Sequence, residues 1–122
     1  MIINVSIGEV VDKITILEIK LENIKDEEKR KNVLTEYNTL NPLIQDLNID
    51  KFKEDLRHIN NKLWDIEDKI REKERDKEFD DEFVELARSV YYTNDIRAQI
   101  KRDINVKFES DLIEEKSYES YK

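Results

Sequence analysis

The sequence predicts an all-α protein of about four long amphipathic helices, arranged as a bundle or as helical hairpins. The chain contains one Gly and one Pro in 122 residues, and long helices need those residues less than strands and tight turns do. Charged residues make up 43% of the chain with both signs interleaved, a pattern typical of exposed helix faces joined by i,i+4 pairs. Apolar residues also recur every three or four positions, which is the period of a helix buried on one side.

The first predicted helix begins at a capping box formed by Ser6 and Glu9, after a short β-prone arm at residues 1–5. Its apolar stripe then steps by three or four residues through Ile7, Val10, Ile14, Leu17, Leu21 and Ile24. Ile16 and Ile19 lie off this stripe. We therefore expect the first helix to be buried on more than one side.

The second helix is predicted to begin at the N-cap Asp26. Pro42 interrupts it, so that either the helix ends near Leu40 or Asn41 caps a short restart. The third helix has the apolar stripe Phe52, Leu56, Ile59, Leu63, Ile66 and Ile70. It runs into residues 71–78, which are all charged and must be solvated.

The fourth helix is predicted to begin at the N-cap Asp80, with Phe79 packing on Val84 as a hydrophobic staple. Its buried side is expected to contain Phe83, Leu86, Ala87, Val90, Ile100 and Ile104. The tail, residues 107–122, has a weaker period, and we expect either a short docked helix or a partly disordered segment. The length fits a single helical domain over residues 1–122.

Composition excludes several classes of function. A net charge of −8 argues against broad nucleic-acid binding, which depends on a basic surface. With no Cys and one His, the chain has no thiol nucleophile and no Cys-based or His-rich metal site, and we expect no metal and no cofactor. The N-terminus lacks a signal peptide and no apolar run is long enough to span a membrane, so the expected location is the cytoplasm.

The most informative polar positions interrupt the apolar period of the fourth helix. Thr93, Asn94 and Arg97 stand where the helical period expects apolar side chains. One hypothesis is a buried hydrogen-bond network that fixes the helix register, with Asn94 and Arg97 bonded to carboxylates of the first or third helix. The other is a ligand pocket in which Arg88, Arg97, Lys101 and Arg102 bind a phosphate or carboxylate.

A second set of polar positions lies at the start of the first helix. Glu9 and Lys13 have the favourable i,i+4 order, and Asp12 lies beside the apolar stripe. These residues form either a cap and a solvated flank, or a site in which Asp12 or Glu9 pairs with Arg97 or Arg88 across the bundle.

The motifs that contain these polar residues resemble a family of small bacterial and phage helical proteins of unknown function. The opening motif is Ser6-x-Gly8-Glu9-x-x-Asp12-Lys13-x-Thr15-Ile16-Leu17-x-Ile19-Lys20. Later motifs are Leu63-Trp64-x-Ile66-Glu67-Asp68, Asn94-Asp95-x-Arg97-Ala98 and the tail segment Glu114 to Tyr118. The resemblance implies a polar site between the first and fourth helices, closed by the tail, and a link to surface-glycan assembly. Its residues are Glu9, Asp12, Lys13, Arg88, Asn94, Asp95, Arg97 and Lys101.

Two functions are compatible with these observations. The first is a non-enzymatic interaction or accessory module that forms a homodimer or binds another protein, because the long apolar stripes exceed what a lone bundle of this size buries. The second is binding of a phosphorylated or sugar-nucleotide small molecule at the polar site. Any turnover there would need carboxylate or metal catalysis, with Asp12 or Glu9 as the acid or base. The sequence favours the first function.

Overall fold

The computed structural model describes all 122 residues and contains four α-helices and no strand. The prediction of an all-α fold is therefore confirmed. No helix combines the length and the apolar content that crossing a lipid bilayer requires. The helices are α1 (Ile7–Asn23), α2 (Glu27–Leu40), α3 (Asp50–Arg75) and α4 (Asp81–Lys107), with a short 3-10 helix at Asn41–Ile44 between α2 and α3.

Three helices begin at the caps that the sequence predicts. The side chain of Ser6 accepts from the amide of Glu9 at 3.1 Å, and Asp26 and Asp80 each accept from the amide three residues later. These bonds satisfy amides that have no partner inside the helix. At the Pro42 interruption, α2 ends at Leu40, and the segment after it forms a 3-10 helix.

Helix α1 lies at the centre of the molecule and contacts each of the other three helices. Val11, Ile14 and Ile19 have at most 1% of their surface exposed, so α1 is buried on several sides, as its widened stripe predicts. Helices α3 and α4 form a hairpin with the most extensive contact in the fold, and α2 packs on α1 and on the 3-10 helix. The core cluster joins these elements through Val10, Val11, Ile14, Ile44, Ile49, Leu56 and Ile104.

The start of α4 departs from the predicted packing. Ala87, expected on the buried side, is exposed. Phe79 packs edge-to-face on Phe83, with ring centroids 5.2 Å apart, and Val84 remains 49% exposed. The polar contacts of α1 with α4 begin only at Arg97, and no residue of α4 before Thr93 is buried, so the start of the helix buries a narrower stripe.

The tail contains no helix, so the expected short docked helix does not form. Helix α4 ends in a Schellman motif, in which the amide of Ser110 donates to the carbonyl of Asn105 at 2.8 Å. Glu109 takes the left-handed conformation of that motif with φ 52°. The turn redirects the chain, and residues 111–122 then have no helix or strand, with every residue exposed.

Candidate functional site

A buried carboxylate, Asp12, links α1 to both α3 and α4. Its side chain is 1% exposed. Arg97 of α4 donates from Nε to Oδ1 at 2.9 Å and from Nη2 to Oδ2 at 2.5 Å, which is a bidentate arrangement. Asn60 of α3 donates to the same Oδ1 at 2.9 Å. The structure therefore forms the cross-bundle pair that the polar interruptions suggest, and Asp12 has a bonding partner on each oxygen.

Thr15 completes this network from the next turn of α1. Its hydroxyl donates to the backbone carbonyl of Asp12 at 2.7 Å and accepts from Nδ2 of Asn60 at 2.9 Å. Hydrogen bonding to Asp12 raises the pKa of Arg97 above its ordinary value, while burial acts in the opposite direction. Because an unpaired buried charge is strongly destabilising, the network determines how α1 crosses the α3–α4 hairpin.

A second ion pair joins the first turn of α1 to α4. Nζ of Lys101 lies 2.7 Å from Oε2 of Glu9, and the lysine side chain is only 11% exposed. Glu9 therefore uses its carboxylate across the bundle, and only the Ser6 half of the predicted capping box forms. One turn further along α4, the side-chain oxygen of Asn105 accepts from the amide of Gly8 at 2.6 Å.

Gly8 permits this close approach of the two backbones. A Cβ atom at Gly8 would lie 2.5 Å from the backbone oxygen of Lys101 and 2.9 Å from Oδ1 of Asn105. The first of these atoms belongs to the α4 backbone and cannot rotate away. Only glycine therefore allows α1 to sit at this distance from α4.

The structure brings together five of the eight predicted site residues. Glu9, Asp12, Arg97 and Lys101 form the two ion pairs, and Oδ1 of Asn94 lies 3.5 Å from Nη1 of Arg97.

The other three predicted residues lie outside this network. Lys13 is exposed and pairs with Glu36 of α2 at 3.6 Å. Arg88 is exposed on α4 and bonds Glu85 at 2.9 Å. Asp95 points to the outer face of α4, where it accepts from the hydroxyl of Tyr121.

Sequence reasoning missed Asn60, and it assigned no hydrogen-bonding role to Thr15 or Asn105 and no packing role to Gly8. Asn60 lies four residues after Leu56 and next to Ile59 on the buried side of α3, so a polar residue on an inward face was a signal available in the sequence. Gly8 is the only glycine of the chain, which was a second signal.

Another polar cluster surrounds Glu18 farther along α1. Its carboxylate lies 2.8 Å from Nζ of Lys53 and 3.2 Å from Nη1 of Arg57, both on α3. The hydroxyl of Tyr37 on α2 donates to it at 3.2 Å. Burial and the negative charge of Glu18 raise the pKa of Tyr37. This cluster joins three helices at the end of α1 opposite to Glu9.

The tail closes a cleft of about 700 Å³ beside α4. Glu114 lies 3.7 Å from Nζ of Lys101 and 2.8 Å from Nζ of Lys116, and Glu115 pairs with Arg102 at 3.0 Å. The lining includes Tyr91, Asn94, Arg97, Lys101, Glu114, Lys116 and Tyr118. Arg97 thus reaches from the buried network into the cleft, with 28% of its side chain exposed.

Three tyrosine rings form an exposed cluster on the outer face of α4. Tyr91, Tyr92 and Tyr121 have ring centroids 4.9 to 5.2 Å apart. The guanidinium of Arg88 lies 5.7 Å from the centre of the Tyr92 ring and donates to its hydroxyl. We call these four residues the tyrosine cluster. The hydrogen bond to Asp95 raises the pKa of Tyr121 to about 12.

Charged side chains and aromatic rings are exposed together at this end of the molecule. The structure contains no group of three or more His, Cys, Asp or Glu side chains placed to hold a metal ion. The buried carboxylate of Asp12 accepts three hydrogen bonds in all. Outward-facing groups for a ligand therefore come from Arg97, Lys116 and the tyrosines.

Comparison with known proteins identifies a family. Comparisons with curated proteins and with solved structures found no match. The model of a family of unknown function, DUF6165, matches residues 1–121. Because this match spans nearly the whole chain, the protein belongs to the DUF6165 family of unknown function.

Proposed function

We propose that this domain is a non-enzymatic interaction module that associates with a second copy of itself through the outer face of α4. The observation that supports this proposal is the tyrosine cluster. Tyr91 and Tyr92 are each 41% exposed and Tyr121 is 45% exposed, although their rings pack on one another. Tyrosine and arginine are enriched at the centres of protein interfaces, where they supply rigid apolar area with a polar end.

Apolar residues extend this surface along α4. Val84 is 49% exposed and Ile96 is 48% exposed. Val84 lies seven residues before Tyr91, and Ile96 lies four residues after Tyr92, so both share the outer side of the helix with the cluster. A contiguous exposed aromatic and apolar surface of this kind indicates an interaction site.

The local charge favours a second copy as the occupant. The chain has a net charge of −8, which opposes self-association over most of its surface. Around the tyrosine cluster, however, Arg88 pairs with Glu85, and Asp95 accepts from the hydroxyl of Tyr121. Two copies related by a two-fold axis would therefore meet here through partnered charges, and each would present the same patch to the other.

The buried network supports this role by making α4 a rigid platform. The Asp12–Arg97 and Glu9–Lys101 pairs fasten α4 to α1 on the side opposite to the tyrosine cluster. A surface held in one conformation loses less entropy on association. We propose that the module acts as an accessory part of a larger assembly, and the link to surface-glycan assembly implied by the sequence resemblance stays a prediction.

Sedimentation equilibrium over a range of protein concentrations tests the proposal. We expect the wild type to form a dimer, and the double variant Tyr91→Ala with Tyr92→Ala to raise the dimer dissociation constant at least about tenfold. The matched control is Tyr118→Ala, since Tyr118 is 83% exposed and outside the cluster. A wild type that stays monomeric at about 1 mM, or a dimer that both variants leave unchanged, would contradict the proposal.

A further inference from the structure

Three cationic side chains lie near the carboxylate of Glu114 in the cleft between α4 and the tail, whose lining also includes Asp95, Glu119 and Lys122. The cations are Arg97, Lys101 and Lys116, and the carboxylate is Glu114. We propose that this cleft binds an external oxyanion, a phosphate or a carboxylate, in the place that Glu114 occupies. The anion position at Glu114 is not part of the proposed dimer contact, although Tyr91 and Tyr121 of the tyrosine cluster also line the cleft.

The guanidinium group of Arg97 is held in one orientation before any ligand binds. Nε and Nη2 are both bonded to Asp12, whose own position is held by Asn60. The remaining nitrogen, Nη1, has only the long 3.5 Å contact with Oδ1 of Asn94. Arginine recognises phosphate and carboxylate groups through such nitrogens, and a supported, pre-oriented donor is what a binding site requires.

The carboxylate of Glu114 already occupies this cleft as a bound anion. It lies between the ammonium groups of Lys116 and Lys101, at 2.8 Å and 3.7 Å. The same cations, with Arg97, hold the pKa of Glu114 below its ordinary value. An oxygen anion is therefore stable at this position.

Side-chain contacts alone hold the tail against α4. No backbone hydrogen bond joins residues 111–122 to the helices. Near the cleft the tail is attached by Glu114 and Glu115, whose side chains are 44% and 72% exposed, and exposed ion pairs contribute little to stability. Farther along, Tyr121 keeps the tail on α4 through Asp95 while Glu114 is displaced. An incoming anion can displace Glu114 at small cost.

The walls of the cleft define what can be attached to the anion. Tyr91 and Tyr118 both line the cleft, and they offer ring faces to a ligand that bears an aromatic or sugar ring. Asp12 and Glu9 neutralise Arg97 and Lys101 from behind. We therefore expect millimolar affinity for inorganic phosphate and tighter binding of phenyl phosphate or benzoate.

Nuclear magnetic resonance titration of the full-length protein with inorganic phosphate tests the inference, with the side-chain amide of Asn94 as the reporter. Sodium chloride at equal ionic strength is the reference. We expect a saturable shift, with a dissociation constant about tenfold lower in Glu114→Gln, because the competing charge is gone. Glu115→Gln is the matched control, and we expect it to bind like the wild type. Lys116→Gln, at an exposed position, should weaken binding several-fold.

Several outcomes would overturn the inference. They are the absence of a saturable shift in both the wild type and Glu114→Gln, an equal shift with sodium chloride, or an equal gain in Glu114→Gln and Glu115→Gln. Phenyl phosphate and benzoate are then compared, and tighter binding of one identifies the preferred anion. The Asn94 signal reports anion binding and sedimentation reports dimer formation, so the failure of one proposal can be told apart from the failure of the other.

Discussion

Asp12 is the residue on which the placement of α1 depends most. It carries a full charge into the centre of a helical bundle, where it is 1% exposed, and receives hydrogen bonds from Arg97 and Asn60. Replacing a buried ion pair by apolar residues is often neutral, but removing one partner alone leaves an unpaired charge. The network therefore specifies one arrangement of helices by making the alternatives costly.

Substitution of Arg97 by alanine tests this role. We expect Arg97→Ala to lower the free energy of unfolding by about 3 kcal/mol, because Asp12 stays buried without its cation. For a domain of this size, that loss lowers Tm by roughly 10 °C, which thermal unfolding followed by circular dichroism measures. Arg71→Ala is the matched control, since Arg71 is an arginine of α3 with 77% of its side chain exposed, and we expect a change within about 0.5 kcal/mol. Equal effects of the two substitutions would contradict a structural role for the network.

Gly8 allows a second test. Here we expect the change in the free energy of unfolding to have the opposite sign to the one that replacing glycine by alanine usually causes in a helix. In an open helix, replacing glycine by alanine stabilises the protein by up to about 1 kcal/mol. Here the added Cβ would lie 2.5 Å from the backbone oxygen of Lys101, so we expect Gly8→Ala to destabilise by about 1–3 kcal/mol. Chemical denaturation measures the change. Lys13→Ala, at an exposed position of the same helix, should change stability little. A more stable Gly8→Ala variant would show that α1 and α4 are not in close contact.

At the scale of elements, α4 has a different role on each side. Its inner side forms the ion pairs with α1, and its outer side presents the tyrosine cluster. The tail connects the two sides, since Glu114 reaches Lys101 while Tyr121 bonds Asp95. Side-chain contacts alone hold the tail against α4, so its docking responds to the charge state of those side chains.

Docking of the tail should therefore depend on pH. The hydrogen bond to Asp95 raises the pKa of Tyr121 to about 12 from the ordinary value of 10.0. Because the folded pKa is the higher one, the contact stabilises docking fully below pH 10 and is lost as the pH rises from 10 to about 12. Tyrosine absorbance in the near ultraviolet measures this titration. We use a Tyr37→Phe background, because the pKa of Tyr37 is also raised, and we expect one tyrosine to titrate at a pH well above 10.

Two substitutions identify that titration. Asp95→Asn should return the pKa of Tyr121 toward 10.0, because the charge that raises it is removed. Asp103→Asn is the control, since Asp103 accepts from Gln99 on the exposed side of the same helix. A late titration that persists in Asp95→Asn would show that the contact with Asp95 is not the cause.

At the scale of the whole molecule, stability is distributed unevenly. Helix α1 contacts every other helix, whereas α2 packs on α1 and the 3-10 helix and makes no close approach to α3 or α4. No residue of α2 is buried. Local opening is expected where few apolar contacts are buried. Helix α2 is therefore the element that opens with the least loss of packing.

Amide hydrogen exchange tests this distribution. We expect the central amides of α2 to exchange at least about tenfold faster than those of α1, because opening of α2 leaves the α1–α3–α4 contacts intact. Exchange in α3 near Leu56 and in α4 near Ile104 should resemble that of α1, since both residues are fully buried in the core cluster. Equal protection of α1 and α2 would indicate that the four helices unfold as one unit.

The sequence by itself determined the helices and most of their ends. The signals are the apolar period, the caps Ser6, Asp26 and Asp80, and the break at Pro42. Each of them acts within about four residues, so it can be recognised without knowing the fold. The polar interruptions at Asn94 and Arg97 were visible for the same reason. The family match over residues 1–121 agrees with the resemblance seen in the motifs.

Tertiary structure alone decided which of these polar residues meet. The sequence left Asp12 and Glu9 as alternatives for Arg97 and Arg88, and the crossing of α1 over the hairpin selected Asp12 with Arg97 and Glu9 with Lys101. It also placed Asn60 in the network and the tail over the cleft. Contacts such as the one between Gly8 and Asn105, which lie 97 positions apart, depend on how closely whole helices approach. Gly8 determines that distance, because a Cβ atom at this position would force α1 away from α4.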